Sequence, residues 1–100
     1  MTATFYCELH AHPGQGSAVL HILDQLILDT ANEPGAVLYA VHRNTTDPDR
    51  LAVYERYCGS AAGSAHMESA GVRRALEAFG PLLVEPPRIT ALTWHGGFAR

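Results

Sequence analysis

The chain has 100 residues, 47% hydrophobic and 17% charged, with a formal net charge of −3 at pH 7, which fits one domain around a single modest core. Its 7 basic residues are all arginines, too few for the clustered positive surface that a nucleic-acid backbone requires, so no nucleic-acid partner is expected. No apolar run reaches the roughly 18 residues that span a bilayer, and MTATFYCELH lacks the basic and long apolar regions of a signal peptide, so a cytoplasmic protein without membrane contact is expected.

Residues 3–11 alternate, with Phe5, Cys7, Leu9 and Ala11 on one side and Thr4, Tyr6, Glu8 and His10 on the other, which predicts a strand. Pro13-Gly14 breaks it, and Gly16-Ser17 offers a helix N-cap. From Ala18, the residues Val19, Ile22, Leu23, Leu26, Ile27 and Thr30 follow helical spacing. That helix stops at Asn32-Glu33-Pro34-Gly35, because Pro34 has no N–H and disfavours helical geometry at Glu33. AVLYAVHR at 36–43 is apolar almost throughout and reads as a strand covered on both faces.

After the turn cluster at 44–49, residues 51–58 form another strand. It places Glu55 beside Leu51, Val53 and Tyr57, and Ala52, Tyr54, Arg56 and Cys58 opposite. A one-residue slip at a bulge would exchange Glu55 for Tyr54 and Arg56. Ser60–Ser69 reads as a short alanine-rich helix and Val72–Phe79 as a second helical piece, ended by Gly80-Pro81. Ile89–His95 is the last strand, and residues 96–100 form a loose tail beyond a core of 3–95. Cys7 and Cys58 are expected to be free thiols on strands, since the compartment is reducing.

The order β-α-β-β-α-β predicts an α+β, ferredoxin-like fold: one antiparallel sheet with its helices on one face. The other face then leaves several hundred Å2 of apolar surface uncovered, more than soluble monomers usually tolerate. A second copy packing sheet against sheet resolves this, so a homodimer is expected.

HPGQGSAVLHIL, EPGAVLYAVHR, the Asp-Pro turn, YERY, and AAGSAHMES followed by GPLL together resemble the antibiotic biosynthesis monooxygenase family, one of the dimeric α+β barrels. The resemblance spans nearly all of residues 5–95. It implies a pocket between sheet and helices in each subunit, and for some members oxidation of aromatic polyketides by O2 without metal or flavin. Haem-degrading members use an Asn on the first strand, and a Trp and a haem-ligating His on the later helices. Here the strand reads Phe5-Tyr6-Cys7, no Trp lies between 59 and 80, and no His follows His66 before His95. Haem degradation is therefore not expected. Many members carry a second His five residues after the first, where this chain has Gly71.

Oxidation without a cofactor needs a substrate that donates electrons once deprotonated, plus a base, hydrogen bonds to the anion and a dry pocket. His66 is the candidate base, since imidazole titrates near neutrality. Glu55, a carboxylate among apolar groups, orients His66, acts as a base itself, or bonds Tyr57 or Arg43 in a structural network. Tyr6, Tyr39, Tyr54 and Tyr57 can donate hydrogen bonds to a planar aromatic substrate, with Tyr6, Tyr39 and Tyr57 taken as the site candidates, and Trp94 can stack on its ring. His10 and His12 form an H-x-H pair with no evident third ligand, so no metal and no cofactor are expected. PGQG lacks the spacing of a phosphate loop and reads as a turn. A non-catalytic ligand-binding or structural dimer is the alternative, and an RNA-binding βαββαβ module is disfavoured by the acidic balance.

Overall fold

A computed structural model describes residues 2–100. Its elements are β1 (Ala3–His10), α1 (Gly16–Ala31), β2 (Ala36–Arg43), β3 (Arg50–Tyr57), α2 (Ser60–Met67), α3 (Ala70–Phe79) and β4 (Arg88–Leu92). The strands form one antiparallel sheet in the order β2-β3-β1-β4, the ferredoxin-like α+β arrangement. Alternation in β3 holds without a slip: Leu51, Val53, Glu55 and Tyr57 are buried while the residues between them are not.

The core lies between sheet and helices. Val19, Leu23 and Leu26 of α1 and Val72, Ala75 and Phe79 of α3 pack on Cys7, Leu9, Leu51 and Val53. Each fully buried Val or Leu contributes about 1.5–3 kcal/mol. Helical spacing in 19–26 and 72–79 thus meets period-two spacing in β1 and β3.

Three expectations change. Residues 36–43 are not covered on both faces within the chain, because the helices pack on one face only and Leu38, paired with Arg56, lies on the other. Val37 and Leu38 stay 59% and 40% exposed. The last strand ends at Leu92, so Trp94 and His95 lie beyond it. Gly16-Ser17 supplies no side-chain cap for α1. Instead Asp49, from the turn before β3, accepts hydrogen bonds from the N–H groups of Gly14 (3.0 Å) and Gly16 (2.9 Å). Gly16 permits this close approach, since a Cβ there would collide with the Pro48 carbonyl. Cys7 is buried on the helix-facing side, and Cys58, exposed, follows the end of β3.

Candidate active site

Glu55 and Tyr57 project from β3 toward the helices, two residues apart and so on the same face. The Tyr57 hydroxyl donates to Glu55 Oε1 at 2.8 Å. Above them, α2 carries His66 down onto the sheet. It can approach because Gly63 sits against Phe5 and Ala3, where a Cβ would come within 3.2 Å of the Phe5 ring. Gly35 likewise abuts Ala62, leaving no room for a side chain. These small residues are why His66, on a helix otherwise poor in apolar anchors, is only 2% exposed.

The His66 ring lies between two carboxylates. Its Nε2 is 3.5 Å from Glu55 Oε1, and its Nδ1 is 3.0 Å from Glu33 Oε1. The ring is stacked at a tilt beside Tyr57, with centroids 4.9 Å apart, and beside Tyr39 at 5.7 Å. Burial pushes the Glu55 carboxyl above its ordinary range, although the Tyr57 hydroxyl and His66 pull it down. Burial, reinforced by the Glu55 charge, pushes the Tyr39 and Tyr57 phenols far up, so both stay hydrogen-bond donors. The Cys7 thiol, pushed up to about 12 by burial first and by Glu55 second, is no nucleophile at neutral pH.

Glu55, His66 and Tyr39 border a cavity of about 50 Å3 whose other walls include Leu23, Leu26, Val53 and Val72. An open cleft of about 450 Å3 adjoins it, sharing Leu76, Phe79 and Pro87. Of the six residues singled out from the sequence, the structure brings together His66, Glu55, Tyr39 and Tyr57. Tyr6 and Trp94 lie on the other face of the sheet. Tyr6 pairs with Tyr54 there, and the Trp94 ring sits 4.2 Å over the Arg56 guanidinium. Among the described residues no group of three or more His, Cys, Asp or Glu side chains is placed to hold a metal.

Glu33 was legible only as part of the helix stop. One signal was available: an acid at a helix C-terminus opposes the helix dipole, and a locally unfavourable choice often marks a functional position.

A comparison with curated proteins finds no match. Among solved structures, Rv0793 from Mycobacterium tuberculosis superposes with a TM-score of 0.90 at 23% identity, covering 99% of this chain and 100% of that one. PA3566 from Pseudomonas aeruginosa gives 0.87 at 22% identity, covering 95% of each chain. A Caulobacter crescentus protein, named as a candidate antibiotic biosynthesis monooxygenase, gives 0.86 at 24% identity, covering 95% of this chain and 91% of that one. Identities this low speak for the fold alone. The family model described as antibiotic biosynthesis monooxygenase matches residues 4–78, a span that contains nearly all of β1 through α3 and every member of the His66 network. The chain therefore belongs to the antibiotic biosynthesis monooxygenase family.

Proposed function

We propose that the protein is a monooxygenase that oxidises a small planar phenol or anthrone-type carbon acid with O2, using no metal, haem or flavin. The observation that supports this is the His66–Glu55 pair, 3.5 Å apart, at the wall of an otherwise apolar cavity. In such a reaction the substrate supplies the electrons and the protein moves protons. An anthrone methylene loses a proton to the pair. The carbanion, delocalised onto the ring oxygen, passes one electron to O2, and the radicals combine to form a C–O bond. The resulting peroxide anion takes the proton back. Loss of the second methylene proton, with cleavage of the O–O bond, leaves a ketone and one water. The methylene and O2 thus give one carbonyl and one water, a four-electron oxidation of carbon matched by four-electron reduction of O2. Tyr39, which borders the cavity, is the donor placed to meet the developing oxyanion, while the Tyr57 hydroxyl is committed to Glu55.

The cavity sets a condition on this chemistry. At about 50 Å3 it falls short of the roughly 150 Å3 that holds a benzene ring. A ring must enter from the adjoining cleft by displacing Leu76 or Pro87, which border both spaces. Half-exposed Leu76, Val84 and Ile89 make that approach apolar.

The tight cavity favours a second reading, a non-catalytic binding or structural dimer of the same fold. Incubation with an anthrone under air, following quinone absorbance, separates the two. A rate above background that His66→Ala abolishes supports the enzyme; no rate, with His66→Ala binding the anthrone as well as wild type, supports the binder.

In either case the proposed assembly is a homodimer through the open sheet face, where Tyr6, Leu38, Leu92 and Trp94 are 37–48% exposed. A monomer mass by light scattering at micromolar concentration would sink that assembly.

A further inference from the structure

We propose that Glu33 is a positioning residue: it holds a proton on Nδ1 of His66 and so leaves Nε2, the nitrogen facing Glu55 and the cavity, as the basic one. The inference deepens the reading above and rests on His66 acting there as proton acceptor.

A neutral imidazole carries one N–H, and the partner of each nitrogen decides which. Glu33 presents both carboxylate oxygens to Nδ1, at 3.0 and 3.2 Å, and a carboxylate only accepts. Opposite Nε2, Glu55 Oε1 is 3.5 Å away, beyond ordinary hydrogen-bond length, and it already accepts from Tyr57 at 2.8 Å. The acceptor with the better geometry is therefore at Nδ1. The groups facing the ring are Glu33 from the α1–β2 turn, Tyr39 from β2, and Glu55 and Tyr57 from β3.

The backbone around Glu33 is fixed for this task. Its N–H donates to the Thr30 carbonyl at 3.0 Å, and its own carbonyl accepts from Ala36 N–H at 3.1 Å. The Glu33 side chain is 26% exposed while that of His66 is 3% exposed, so one carboxylate meets both water and a ring that water does not reach. Glu33 is not among the cavity walls. It acts through His66 and touches no substrate itself.

The test is ¹⁵N NMR of His-labelled protein over a pH titration, on wild type, Glu33→Gln and Glu33→Ala. Gln keeps an acceptor for Nδ1–H without the charge; Ala removes both. In wild type, the neutral ring is expected to show a pyrrole-type shift at Nδ1 and a pyridine-type shift at Nε2. Glu33→Ala is expected to give mixed tautomers and to lower kcat for anthrone oxidation about 10- to 100-fold, within the range carried by general acid–base catalysis, with KM little changed. Glu33→Gln should keep the tautomer and fall between. A neutral His66 with its proton on Nε2, a ring protonated on both nitrogens wherever the protein is active, or a Glu33→Ala spectrum and kcat like wild type would each overturn the proposal. If wild type oxidises no anthrone, the catalytic reading fails while the tautomer is still read directly from the spectrum. If Glu33→Ala does not fold, wild type and Glu33→Gln decide the question.

Discussion

The two faces of β3 differ in how their polar groups are satisfied. On the helix-covered face, Tyr57 donates to Glu55, Glu55 meets His66, and His66 meets Glu33, a chain closed within one subunit. One residue away on the open face, Arg56 reaches the Tyr54 hydroxyl at 3.0 Å and lies beneath Trp94. Its Nε, and the hydroxyl of its cross-strand neighbour Thr4, are nevertheless buried without a partner among the described residues. Thr30 on α1 carries another such hydroxyl. A buried donor left unmatched costs about 1–3 kcal/mol, and two of these three belong to the open face, where the proposed second copy would cover them. Substitutions on the two faces should therefore act on different observables.

The largest effect is expected at His66. His66→Ala should lower kcat for anthrone oxidation by about 10²–10⁴-fold, the usual contribution of a positioned base. Tyr6→Phe, on the other face, should leave it within about twofold. Equal losses in initial-rate assays would erase the distinction between the faces.

Glu55→Gln comes next and reads through stability. The folded-state value of Glu55 is raised above its ordinary 4.5. The folded state thus binds the proton more tightly than the unfolded chain, and that contribution to stability is fully present below pH 4.5 and lost as pH rises through the raised value. Each unit of elevation corresponds to about 1.4 kcal/mol. Gln has no proton to lose, so denaturant melts should show Glu55→Gln gaining on wild type as pH rises from 4.5 toward neutrality. A pH-independent difference would mean that the carboxylate is fully stabilised by its partners.

Much of this arrangement was legible in the chain itself. Period-two spacing from Leu51 to Tyr57 put Glu55 and Tyr57 on one face with Leu51 and Val53, without saying which face meets the helices, and the glycines and alanines after Cys58 marked a helix able to come close. Alternation in residues 3–11 also put Tyr6 opposite Cys7, hence away from His66. Trp94 escaped because it follows the end of β4, where alternation says nothing of direction. Glu33 escaped for a different reason: its partner is 33 residues away, and only the fold of α1 and α2 onto one sheet brings them together. Chain-local patterns report which face a residue takes, and long-range pairs between loops and helices leave almost no such trace.

A smaller effect is expected on the open face. A guanidinium over Trp94 at 4.2 Å contributes about 0.5–2 kcal/mol. That contact lies within one chain, so its loss in Trp94→Ala should lower Tm, and removing the half-exposed ring from the open face should weaken self-association in sedimentation equilibrium, while kcat for anthrone oxidation changes little. An unchanged dimer constant would show that this cluster lies outside the contact between copies.

The smallest effect concerns Asp49, a carboxylate in the opposite situation to Glu55. It lies among backbone N–H groups at the start of α1, and the hydrogen bonds from Gly14 and Gly16 hold its value below the ordinary 3.8. Here the unfolded chain binds the proton more tightly, so the contribution to stability is present above pH 3.8 and disappears as pH falls through the depressed folded value. Asp49→Asn should lower Tm by a few degrees near neutrality, since the amide offers one acceptor oxygen where the carboxylate offered two. That deficit should shrink in acid, the reverse of the trend at Glu55. The opposite slopes have one origin. Burial withdraws water from Glu55 and replaces it with few donors, whereas the turn before β3 surrounds Asp49 with donors while leaving it wet.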